Sequence, residues 1–172
     1  AIITASYGFL SLAAILGLIA LWLIIFTNSN NKNKLKNTLS ELTIINEKSI
    51  EIGLFMLTIG TFLGGVWANE SWGRYWGWDP KETWALVSVL IYSFVLHMRF
   101  IPALRSQLTF NTVSMFAIWT IIMTYFGVNY YLSGLHSYAA GDPMPIPVFV
   151  YYLFVIMLLS AVFAKLKFKK HY

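Results

Sequence analysis

The 172-residue chain contains no cysteine, and charged side chains make up only 11% of it. Without thiols there is no disulfide-stapled secreted scaffold and no zinc or iron–sulfur site built on thiolates. A soluble domain carries roughly a quarter charged residues, far more than this chain does. Apolar residues reach 58%, which excludes a disordered chain. The first residues are already apolar, with no basic leader and no cleavage pattern, so the opening stretch is not a signal peptide. No methionine begins the chain, which leads us to expect a segment of a longer protein whose N-terminal partner residues lie elsewhere. No internal repeat is seen.

Five apolar stretches remain, at roughly 1–27, 50–68, 81–101, 108–131 and 146–164, each near the ~20 residues that cross a bilayer. The fold class expected is therefore an all-α polytopic membrane protein with five transmembrane helices. The connections fall at 28–49, 69–80, 102–107 and 132–145. Ten of the twelve basic residues share one side in this arrangement: Lys32, Lys34, Lys36, Lys48, Arg99, Arg105, Lys165, Lys167, Lys169 and Lys170. Arg74 and Lys81 alone fall on the other. By the positive-inside rule the N-terminus is outside and the C-terminus cytoplasmic. That placement accounts for the net charge of +5 without a nucleic-acid partner. In the 28–49 connection, Thr38 and Glu41 form a capping-box pattern, and Leu35, Leu39, Leu42 and Ile45 recur at helical spacing. These predict a cytoplasmic loop with an interfacial helix that leads into the second span. The prolines of 142–147 give a rigid extended approach to the fifth.

Five of the seven tryptophans crowd into one outward stretch: Trp67, Trp72, Trp76, Trp78 and Trp84. An aromatic belt at the membrane surface is the plain alternative, but a belt distributes its rings among all spans. Gly73 and Gly77 allow close approach or a sharp bend, and the whole reads as a platform for a large flat apolar ligand. Asp79-Pro80-Lys81-Glu82 describes a helix start, with Asp79 as cap and Glu82 closing the box. Arg74 and Lys81 flank the rings and suit a ligand's carboxylates, unless they pair with Glu70 or Asp79.

Three histidines are present. His136 lies in the second outward connection; a lone loop histidine is more often an ordinary surface residue, and its place on the side of the tryptophans sets a ligand role level with that alternative. His97 lies inside the third span, 17 residues beyond Pro80 and so roughly 25 Å from the outer end. An intramembrane histidine reads as functional by default, the alternative at this depth being a side chain that snorkels to the interface. His171 reads as a solvated end residue. Two histidines at two depths, flat aromatic surface and no thiolates fit haem better than zinc, whose three or four close ligands are not supplied. With no Cys-x-x-Cys-His segment, haem would be held here without covalent attachment.

The segment Trp72-Gly-Arg-Tyr-Trp76-Gly-Trp78-Asp79-Pro80-Lys81-Glu82-Thr83-Trp84 resembles the WWD signature of the haem-handling proteins of cytochrome c biogenesis. Its Asp-Pro-Lys-Glu-Thr-Trp continuation looks like the CcsA/ResC type, the haem-handling part of a CcsBA-like cytochrome c synthase. Leu96-His97-Met98-Arg99 and Gly134-Leu135-His136-Ser137-Tyr138 look like that family's transmembrane and external histidine motifs. The resemblance implies haem b in transit, not covalently bound, over Trp72, Trp76, Trp78 and Trp84 with Asp79, and with Arg74 or Lys81 at a propionate. His136 and His97 are the axial ligands it implies. The other histidine of each pair is expected upstream of Ala1. Implied partners are apocytochrome c, a CcsB/ResB-type protein or fused N-terminal half, and membrane lipid. The implied site is a bacterial cytoplasmic or thylakoid-type membrane, with the WWD loop outward. The implied activity is that of part of a holocytochrome c synthase, in which cysteine thiols add across haem vinyl groups. Two alternatives stand beside it: a haem-delivery subunit of an ATP-driven maturation transporter, and a structural or quinone-binding subunit without haem.

Overall fold

A computed structural model describes residues 1–28, 31–135 and 145–171. Among them the elements are α1 (Ile2–Phe26), α2 (Lys32–Trp72), α3 (Pro80–His97), α4 (Gln107–Ile122), α5 (Val128–Tyr131) and α6 (Val148–His171), with no strand. A 3-10 turn, Met98–Phe100, ends α3, and a π-helical turn, Met123–Gly127, joins α4 to α5. Five helical segments are long and apolar enough to cross a membrane: Ile2–Phe26, Leu35–Trp72, Pro80–Phe100, Gln107–Tyr131 and Val148–Phe168.

The helices alternate in direction. The start of α1, the end of α2, the start of α3 and the end of α4 meet around Ile3, Trp67, Trp76, Lys81 and Thr124. We call this the tryptophan end. At the opposite, basic end, Ile24 of α1, Leu39 of α2 and Ala164 of α6 pack together, with Leu108 of α4 against them. Lys165 and Lys167 follow directly along α6.

The second helix departs most from expectation. Its 41 residues run without a break from Lys32, roughly 60 Å in all, about twice the hydrocarbon thickness. The Thr38–Glu41 pattern lies inside this helix and does not start it; Asn31 stands at the N-cap, with Asn28 and Asn31 exchanging side-chain-to-backbone bonds of 2.7 and 3.0 Å. The buried stripe is also a different one. Leu39, Thr43, Asn46, Ile50, Gly53 and Leu57 face inward, while Ile45 is half exposed. Two polar residues belong to that stripe because they have partners. Asn46 donates to Asn111 Oδ1 at 2.9 Å, Asn111 donates to Thr43 Oγ1 at 2.8 Å, and Ser114 donates to Asn46 Oδ1 at 2.9 Å.

Close packing makes this network possible. In lipid, helices associate through van der Waals contact and interhelical hydrogen bonds, and small residues let backbones approach. A Cβ on Gly17 would stand 2.7 Å from the Asn111 carbonyl oxygen. The same holds along α2, where Gly53 sits against Leu10 and Gly60 against Ile3. Near the middle of the bundle, Leu10, Ile50, Tyr92, Val95 and Phe110 form one core from four helices.

Candidate functional site

The tryptophan end is built around the turn between α2 and α3. Helix α2 stops at Gly73, whose φ of 70° is the left-handed conformation that glycine adopts without a Cβ clash. Helix α3 starts with the capping box read from the sequence. Asp79 accepts from the Lys81 N–H at 3.1 Å and from the Glu82 N–H. Glu82 Oε2 reaches back to the Asp79 N–H at 3.2 Å and to the Gly77 N–H at 2.7 Å. The N–H groups on both sides of Trp78 are thus gathered on one carboxylate.

Within this brace, Trp78 is held at φ 57°, a conformation uncommon for any residue with a Cβ and costly for a bulky one. Its ring is 70% exposed. Strain of that kind persists where the surroundings over-determine it, and it clusters at ligand clamps.

Structure divides the five tryptophans. Trp67 and Trp72 belong to the last turns of α2, Trp76 and Trp78 to the turn, and Trp84 to the first turns of α3. Trp67 meets Trp72 at 5.1 Å between ring centroids and 79° between planes; Trp76 meets Trp78 at 5.8 Å and 88°. Each pair is therefore a corner of one face and one edge, and not part of a single flat bench. Beneath Trp76 a cavity of about 220 Å³ runs between α1, α2 and α3, lined by Tyr7, Gly64, Lys81 and Ala85 among others. Typical ligand pockets measure roughly 300–1,000 Å³, so this one does not enclose a porphyrin.

The two cations behave differently. Lys81 donates to Asn129 Oδ1 at 3.0 Å. Arg74 folds its guanidinium over Gly77, in the space a Cβ would fill. Neither Asn129 nor that role for Gly77 was legible in the sequence, since Asn129 is 48 residues from its partner.

His97 stands at the far end of α3, roughly 26 Å from Asp79 along the axis, so it is not brought together with the tryptophans. It is exposed on the bundle surface, 5.9 Å from the Phe100 ring. Its Nδ1 lies 2.7 Å from the Ser93 carbonyl oxygen. A carbonyl only accepts, so in the neutral ring Nδ1 carries the hydrogen and Nε2 keeps its lone pair for a metal or a proton. Two residues on, Arg99 pairs with Glu47 at 2.9 Å. The register that sets Gly60 on Ile3 and Gly53 on Leu10 brings Glu47 level with Leu16, roughly 15 Å short of the end of α1. This pair, and His97 beside it, therefore lie within the length of the bundle and not at its rim. His136 lies outside the described residues. Leu135, which precedes it, is described, and its N–H donates to Asp79 Oδ1 at 2.7 Å.

Helical bundle, polar seam and aromatic turn define an all-helical chain with five potential membrane spans and a braced tryptophan-rich turn at one end. The chain belongs to the Cytochrome C assembly protein family, which it matches over residues 1–136. It is 52% identical over 144 residues to Protein NrfI of Wolinella succinogenes, covering 84% of this chain and 16% of that protein. It is 41% identical over 118 residues to the cytochrome c biogenesis protein CcsA of Prochlorococcus marinus, covering 66% of this chain and 38% of that one. CcsA of the plant Ranunculus macranthus is 42% identical over 104 residues, 59% of this chain and 32% of that protein. The chain thus spans well under half the length of these relatives.

Proposed function

We propose that this chain forms part of a protein that holds haem b at a membrane surface and presents it to apocytochrome c. The observation that carries the reading is Trp78: an exposed indole on left-handed backbone, braced by the Glu82 carboxylate, which holds the N–H groups of Gly77 and Asp79 on either side of it. An interfacial belt needs amphipathic rings but no strained backbone beneath them. Membership of the Cytochrome C assembly protein family supports haem as the flat ligand. With Lys48 and Arg99 set aside as lying within the length of the bundle, the remaining eight-to-two partition of basic residues supports a tryptophan end that faces outward.

In this reading the Trp76–Trp78 corner offers one face and one edge to the porphyrin. His136 supplies an axial imidazole from the neighbouring loop. Arg74 and Lys81 lie on the same turn as charges for the propionates. His97, with Nε2 left free by the Ser93 bond, serves haem at membrane depth before it reaches the outer surface. Each apocytochrome thiol then adds across a vinyl group, S to one carbon and H to the other, a step that needs no electron acceptor. The protein's share is position, access and ligation. A CcsB/ResB-type partner or fused half completes the assembly, and the similarity to the CcsA proteins favours this synthase arrangement over an ATP-driven delivery subunit.

An absorption spectrum tests the proposal. The purified protein supplied with haem is expected to show a Soret band that weakens in His136→Ala and returns with added imidazole. Absence of any Soret absorption after haem supplementation would overturn the reading and return the tryptophans to a belt.

A further inference from the structure

Asp79 has one bond more than a helix cap needs. Its carboxylate accepts from the Lys81 and Glu82 N–H groups, which completes the cap, and also from the Leu135 N–H, 56 residues along the chain. The side chain is buried, with 7% of the residue exposed. On the other side of the contact, Gly134 lies so close that a Cβ there would collide with Asp79 Oδ1 and stand 2.9 Å from Pro80 Cδ. Two separate features of the sequence, a carboxylate at 79 and a missing side chain at 134, thus serve the same junction.

We propose that Asp79 is a positioning residue that pins the chain at Gly134–Leu135 to the start of α3 and thereby fixes where His136, the next residue, departs. This rests on the haem reading for its consequence, though not for the clamp itself. The carboxylate then acts on haem through the histidine loop, without touching the porphyrin. Its chemistry explains why a carboxylate is used. A carboxylate has two acceptor oxygens, so Oδ2 takes the Lys81 N–H of the helix while Oδ1 takes the Leu135 N–H of the loop. An asparagine has a single acceptor oxygen and an NH2 group. It caps a helix nearly as well, yet it must present that NH2 either to the helix N–H groups or to the Leu135 N–H.

Asp79→Asn separates the two tasks. With the cap retained, the protein is expected to accumulate and fold as before, while hydrogen exchange at the Leu135 amide speeds up. Haem held through His136 is expected to weaken by roughly 10-fold to 100-fold, the usual cost of removing an outer-shell partner of a metal ligand. The low-spin signature should fall in parallel, and exogenous imidazole should restore it. Gly134→Ala, which pushes the loop away from an intact Asp79, is expected to reproduce the exchange, the affinity loss and the rescue. Unchanged exchange at Leu135 in both variants overturns the clamp, whatever becomes of haem. Haem loss in Asp79→Asn that imidazole does not relieve, with Gly134→Ala normal, overturns it in favour of direct contact with the porphyrin. If instead the unsubstituted protein holds no haem while the exchange results stand, the functional reading fails and the clamp survives.

Discussion

The two halves of the bundle handle polar and aromatic groups in opposite ways. Toward the basic end, Thr43, Asn46, Asn111 and Ser114 are all buried and bonded to one another across two helices, α2 and α4. Nothing there is strained and nothing polar in that set is left over for a ligand. At the tryptophan end, Trp67, Tyr75 and Trp78 are each more than half exposed, two residues have positive φ, and the backbone is irregular from Gly73 to Asp79. Satisfied polar groups in a close-packed interior specify which helices pair and at what register. Exposed rings on a braced, strained turn contribute little to that and leave surface to bind. The contrast assigns stability to one half and recognition to the other.

Removing the hub of the polar network is the largest test of that assignment. Asn111→Ala leaves Asn46 and Thr43 without the side chain they share, and a buried polar group left unmade costs about 1–3 kcal/mol. A clear drop in unfolding free energy in detergent is expected, with haem retained by the fraction still folded. Loss of haem at undiminished stability would show that the two halves are not separable in this way.

The next test lies in the turn, and its sign is the informative part. Ala and Gly at position 78 both delete the indole, so both should reduce haem retention. Only Gly relieves the left-handed backbone, which costs a residue with a Cβ roughly 1–2 kcal/mol. Trp78→Gly should therefore be more stable than Trp78→Ala by about 1 kcal/mol. Equal stability, or the reverse order, would mean that the turn is not held at positive φ.

What the sequence disclosed follows the same division. Helix α3 begins where Asp79, Pro80 and Glu82 say it does, because a capping box is local and its signal is complete within four residues. The membership of the tryptophan turn was likewise contained in one contiguous segment. The polar seam was not legible: Thr43 and Asn46 look like loop residues until Asn111 and Ser114, more than sixty positions away, are placed against them. For that reason the sequence points to a loop with an interfacial helix leading into the second span, where α2 instead runs unbroken from Lys32. The Asp79–Leu135 bond was hidden for the same reason, although Gly134 carried a trace of it. The perpendicular rings depend on the turn's dihedrals, which composition does not encode.

Gly64 offers the smallest test and the finest one. It lies in α2 on the wall of the cavity under Trp76, and a Cβ there would meet nothing within 4 Å. Gly60, one turn earlier on the same helix, is already in contact with Ile3. A glycine in an open helical position costs about 0.5–1 kcal/mol relative to alanine, so Gly64→Ala should raise stability by that amount. Gly60→Ala should lower it, because Ile3 must give way. If Gly64 were as closely packed as Gly60, both substitutions would destabilise. Opposite signs, read from paired unfolding curves, would distinguish the filled contact at Gly60 from the open cavity wall at Gly64.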